Sequence, residues 1–202
     1  MSDIYLGISY IDSLSPEIIE RFKSEVDVPG LSVSIEARPE PGPFATLEWL
    51  APTAVIAYIA KPYFETFLKE MGKDHYALLK KGLKNLGARF LGENVPRVQV
   101  IYTPGKIADT ESVYSLTFSV VAAANERLRI KLLLQNNLSE IQFGEAIDAY
   151  LNFLVQLHEG NPLTPEVKGI DDARPVGGTL LLAYDTLGKR LEVINPLPRR
   201  EA

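Results

Sequence analysis

The chain has 202 residues, of which 46% are hydrophobic and 23% charged, and it carries a net charge of −5 with no cysteine. Length and composition are those of one folded domain with a continuous core, and the missing cysteines exclude disulfides, thiol nucleophiles and thiolate metal sites. A pI near 5.2 argues against nucleic acid as a partner, because binding to a phosphate backbone needs a basic surface.

No basic segment leads into an apolar run at the N-terminus, so a cytoplasmic protein is expected. Ile4 to Tyr10 mixes β-branched and aromatic residues and reads as a strand. Ser15-Pro16-Glu17 starts a helix, with a side-chain cap, a proline at the first helical position and an acid near the positive end of the dipole. Ile18, Ile19, Phe22 and Val26 form its buried stripe, and Pro29-Gly30 ends it. Leu31, Val33, Ile35 and Ala37 alternate with Ser32, Ser34, Glu36 and Arg38, which predicts a strand with one wet face. Three prolines between Arg38 and Pro43 make the next segment a stiff crossover.

Phe44 to Leu91 reads as a helical region. The 12 uncharged residues between Glu48 and Lys61 would make about 18 Å of helix against a hydrocarbon core of about 30 Å, so a core helix is expected rather than a membrane span. Pro52 and Pro62 predict helix starts or kinks, and Gly72-Lys73-Asp74 predicts a further break with Asp74 capping the helix beyond it. Leu79, Leu83, Leu86 and Phe90 mark the apolar stripe of that later helix.

Val98 to Thr103 is a short strand by composition. Tyr114 to Val120 and Leu128 to Leu134 alternate as a hairpin, with Val120 opposite Leu128, Phe118 opposite Ile130, and Asn125 left-handed in a three-residue loop. A capping box of Ser139 and Gln142, with a staple of Leu138 and Phe143, opens a helix that buries Phe143, Ala146, Ile147, Tyr150, Leu154 and Leu157 and stops at Gly160. A loop runs to Gly178, and Leu180–Tyr184 with Leu191–Ile194 closes the chain as a second hairpin. The predicted fold is α+β, a mainly antiparallel sheet with helices packed on it, as one domain over 1–196 and a flexible tail over 197–202.

No phosphate-binding loop, dinucleotide fingerprint, nucleophile elbow or zinc-protease motif occurs; His158-Glu159 runs into Gly160-Asn161-Pro162. With two histidines and one adjacent acid pair, Asp171-Asp172, no metal, cofactor or catalytic residue is assigned. The polar cluster Asp74, His75 and Tyr76 has two readings, a general base with its helpers or a helix junction, and the junction takes precedence. From Lys61 to Arg89 seven cations stand against three acids, so this stretch is about +4 in an acidic chain. On a continuous helix Lys69, Lys73, Lys80 and Lys84 fall within about 60° of one another, with Lys81 beside them. Such a stripe is a solvated face or a surface for an anionic partner. Arg127, Arg129 and Lys131 form a second basic row, read as a guard on the wet face of the hairpin. The functional expectation is a non-enzymatic binding or regulatory protein that recognises an acidic or anionic partner, another protein first, through Lys69, Lys73, Lys80, Lys81 and Lys84. The alternatives are peripheral attachment to anionic lipid through the 45–91 region, and an enzyme acting on an anionic small molecule through Glu48, Asp74, His75 or Tyr76.

Overall fold

The computed structural model describes residues 5–40, 50, 52–90, 113–161 and 167–196, with the side chains of 66–73 excepted. In chain order the elements are β1 (Leu6–Ile11), α1 (Pro16–Val26), β2 (Val33–Arg38), β3 (Val55–Ile59), a π-helical turn (Tyr63–Phe67) leading into α2 (Leu68–Ala88), β4 (Phe118–Ala123), β5 (Arg129–Leu133), α3 (Glu140–Glu159), β6 (Val167–Lys168), β7 (Thr179–Asp185) and β8 (Arg190–Ile194). The strands form one eight-stranded sheet in the order β2-β1-β3-β4-β5-β7-β8-β6.

The expected class holds in its coarse form, with helices packed on one sheet, but the sheet is mixed. Pairs β1–β2, β3–β4, β5–β7 and β6–β8 are parallel, whereas β1–β3, β4–β5 and β7–β8 are antiparallel. Parallel neighbours need a long crossover, and α1, α2 and α3 supply one for each of the first three parallel pairs. All three helices lie against one face, where Ile8, Ala57, Val120, Leu132 and Leu182 meet Phe22, Leu83 and Tyr150 in one core. The opposite face carries a smaller cluster of Leu133, Leu181 and Ala183, with Leu50, Tyr114 and Ile194 against it.

Two helix starts follow their sequence signals. Ser15 caps α1 with Pro16 at its first position, and Ser139 with Gln142 closes both hydrogen bonds of a capping box on α3. Gly160 ends α3 in the left-handed conformation, φ 76°.

Several expectations are corrected. Val55–Ile59 is not part of a core helix but a strand in the interior of the sheet, alternately buried and half-buried between β1 and β4. Its β-branched residues suit a pleated surface, and Pro52 and Pro62 bound it as a short run. The 45–91 region therefore offers no amphipathic helix over Pro52–Ile59 for lipid. No break occurs at Gly72: α2 runs unbroken from Leu68 to Ala88, since a single glycine costs a helix only about 1 kcal/mol and the packing of its later turns outweighs that. In the first hairpin Val120 faces Leu132 and Ala122 faces Ile130, so each β4 residue pairs four positions further along β5 than expected, an even shift that keeps the same residues facing the core. Asn125 turns the chain not by a left-handed backbone but by its side chain, whose Oδ1 accepts from the backbone N–H of Arg127 and Leu128 at 2.9 Å each.

The second basic row is corrected as well. Strand β5 lies between β4 and β7, so it has no edge to guard, and Lys131 is buried to 7% exposure. The stretch before Gly178 contains β6, paired with β8. The crossover prolines beyond Glu40, the strand over 98–103, Glu48 and the tail over 197–202 lie outside the described residues.

Candidate functional site

Two of the conspicuous basic residues, Lys80 and Lys84, meet the seam between α2 and α3. Leu79, Leu83 and Leu86 of α2 face the core, which turns Lys80 and Lys84, one helical turn apart, toward α3. Lys84 Nζ lies 2.7 Å from Asp148 Oδ2, and Lys80 Nζ lies 3.4 Å from Asp148 Oδ1. One carboxylate thus bridges two ammonium groups. Lys80 also donates to Asn152 Oδ1 at 3.3 Å and sits 4.9 Å from the centre of the Tyr76 ring. Tyr76 donates to the same Asn152 oxygen at 2.9 Å, and burial together with Asp148 holds its phenol well above the usual range, so it stays a donor.

Glycine allows the two helices to approach. A methyl group at Gly87 would overlap the ring of Phe143 on α3, and one at Gly82 would press on Val26 Cγ1 of α1 at 2.8 Å. Gly87 thus lets α2 come close to α3, beside the turn that carries Lys84, and Gly82 does the same for α2 against α1. Lys81, one turn before Lys84, is exposed. Lys69 and Lys73 belong to the continuous helix, and their side chains lie outside the described residues.

Asp74, His75 and Tyr76 follow one another along α2 and diverge. Asp74 is exposed, Tyr76 turns to α3, and His75 is buried to 2% exposure against α1. His75 Nε2 is 3.1 Å from the carbonyl oxygen of Val26, and its Nδ1 is 3.1 Å from the Tyr63 hydroxyl. A carbonyl can only accept, so Nε2 carries the proton and Nδ1 accepts from Tyr63. Burial holds the His75 ring below its ordinary pKa, with the Val26 carbonyl opposing. That arrangement ties the π-helical turn to the end of α1. It gives neither Asp74 nor Tyr76 a hydrogen bond to the imidazole, which is what a base orienter would need.

Sequence reasoning missed two further polar groups. His158, near the end of α3, stacks on Phe64 with ring centres 4.6 Å apart, and its Nε2 is buried without a partner among the described residues. Lys131 stands on the face away from the helices, and burial lowers its pKa to about 8. Its position in an Arg-x-Arg-x-Lys alternation signalled solvent. Only the strand order, which sets β5 inside the sheet, reveals the burial. Among the described residues no group of His, Asp and Glu is arranged to hold a metal, and no helix is long and apolar enough to cross a membrane.

Asp148 keeps 39% of its side-chain area exposed, although its Oδ1, on the Lys80 side, is buried. No protein-family model, no curated protein and no solved structure matches this chain.

Proposed function

We propose that this protein is a non-enzymatic binding or regulatory module that recognises an acidic partner, another protein, through the face of α2 bearing Lys80, Lys81 and Lys84. The observation that supports the reading is one of stoichiometry. Three lysines gather within five residues, and one aspartate answers two of them. The ion pairs thus leave lysine in excess over aspartate at this seam, in a chain whose total is −5. A local patch of opposite sign to the whole steers an acidic partner to one place on the surface.

Lys80 and Lys84 also hold α3, so reversing them sets like charges against Asp148 and disturbs the seam. Lys81 is exposed with no such duty and gives the clean test. Binding of a fluorescein-labelled polyglutamate peptide, followed by anisotropy at low salt, is expected to weaken about fivefold in Lys81→Glu at an unchanged melting temperature. That corresponds to about 1 kcal/mol for one reversed surface charge. The triple reversal K80E/K81E/K84E abolishes it. A wild-type protein that ignores the peptide, or a Lys81→Glu variant that binds it as well as wild type, removes the proposal.

A further inference from the structure

The sheet ends at β2 on one side and at β6 on the other, and the two edges differ. Strand β6 is two residues long and offers little backbone. Strand β2 has six residues and pairs with β1 without a bulge from Val33 to Arg38. It holds no proline and no lysine, and Arg38 folds back to donate to the carbonyl of Thr53, which leaves Glu36 as its one exposed charge. Shortness, bulges, proline and lysine are the usual guards of an edge strand, and β2 has none of them.

The hydrogen bonds to β1 show which backbone groups are spent. Leu6 N–H donates to the Ser32 carbonyl, and Asp12 N–H donates to the Arg38 carbonyl. Successive residues of a strand direct their N–H and C=O to opposite sides, so the even-numbered residues of β2 face β1. Val33, Ile35 and Ala37 therefore turn N–H and C=O outward, and no described residue bonds to them there. The run is bounded at both ends. Leu31 N–H is taken by the Val28 carbonyl at 3.1 Å, and Pro39 has no N–H. The outward groups that remain lie symmetrically about Ile35.

We propose that two copies of this chain pair β2 with β2, antiparallel about a two-fold axis at Ile35, so that one sheet continues across both. The axis sets Ile35 opposite Ile35 and Val33 opposite Ala37, and each of these pairs exchanges both hydrogen bonds. Val33 and Ile35, half-buried against the core in one copy, gain a cover from the other. On the far face Ser34 stands opposite Glu36, where its hydroxyl donates to the carboxylate. Moving the axis to Glu36 would bring two carboxylates together and set Pro39, which has no donor, opposite Val33. Moving it to Ser34 would set Ala37 opposite Leu31, whose N–H is already taken. The edge is thus complementary to itself in one register, which favours a second copy over an unrelated strand. The inference goes beyond the acidic-partner face, which lies on α2.

The test is sedimentation velocity over a series of protein concentrations, with amide hydrogen exchange at the two ends of the series. Wild type is expected to pass from monomer to dimer as concentration rises. The amides of Val33, Ile35 and Ala37 gain protection with it, whereas those of Ser34 and Glu36, bonded to β1, are protected throughout. Ser34→Glu opposes like charges twice across the axis and weakens the dimer about tenfold, while Ser34→Lys faces Glu36 with the opposite charge and tightens it about threefold. Ser34 pairs with Gly7 of β1, which has no side chain to crowd a longer one, so both variants keep the fold. Lys81→Glu leaves the dimer unchanged, so the two proposals fail separately. A monomer at every concentration, a dimer indifferent to both Ser34 variants, or new protection that spares Val33, Ile35 and Ala37 would overturn the proposal.

Discussion

Lys131 shows how far one side chain can depart from its local pattern. Its neighbours on the sheet are Val121 and Leu181, and burial lowers its ammonium from the ordinary 10.5 to about 8. Such a group is held less readily protonated in the folded chain than in the unfolded one. Its contribution is therefore fully favourable above pH 10.5 and is lost as pH falls through 8, where the folded protein must carry a buried charge. A gap of that size amounts to roughly 3 kcal/mol at neutral pH. Between pH 8 and pH 10 the urea midpoint of wild type is expected to rise relative to that of Lys131→Met. A difference between the two that does not change with pH would show that the ammonium is not held at such a cost. His75 works with the same sign at the acid end. Its depressed pKa makes stability fall as pH drops below the unfolded histidine value of about 6.5. The caps Ser15 and Ser139 were legible because capping depends on residues three positions away at most. The burial of Lys131 was not, because it depends on which strands flank β5.

The helices and strands themselves were mostly legible, and the misreadings have physical causes. Trp49 to Ala60 is apolar without clear periodicity, and such a run fits a buried strand or a buried helix equally by hydrophobicity. The arbitrating signals were the β-branched residues Val55, Ile56 and Ile59 and the prolines on either side, which limit it to strand length. In the first hairpin, parity placed the right residues on the core face, but Asn125 was given the wrong task and the register moved with it. Gly87 presents the opposite case, a glycine inside a helix whose reason lies in a different element. Phe143 fills the space that a side chain at 87 would take. Gly87→Ala should therefore destabilise by about 1–3 kcal/mol despite alanine's better helix propensity, through overpacking of the α2–α3 seam. Chemical denaturation measures it. A stabilised Gly87→Ala would mean that the helices do not approach as closely as described.

For the molecule as a whole, the sheet order lay beyond the sequence. Strands β1, β2, β5 and β7 point one way and β3, β4, β6 and β8 the other, so the sheet alternates in parallel pairs. The steps from β1 to β2 and from β5 to β7 go in opposite directions across it, yet α1 and α3 cover the same face. Those two crossovers therefore differ in hand, and a derivation that relies on uniformly right-handed connections would not reach this arrangement. The same architecture explains what became of the basic stripe. By bringing α3 beside α2, it places Asp148 against Lys80 and Lys84 and leaves a smaller positive surplus at the surface than composition implied. The stripe was visible in the sequence, and its internal counter-charge, more than 60 residues away, was not.

If that surplus recognises an acidic partner, Asp148 competes with the partner for the same lysines. Asp148→Asn keeps the side chain's shape and removes the competitor, raising the charge of the face by one. The direct measurement is the affinity of the labelled polyglutamate peptide for wild type and for Asp148→Asn across a salt series. Tighter binding by Asp148→Asn, with a steeper loss as salt rises, is the predicted result. Equal or weaker binding at low salt would contradict it.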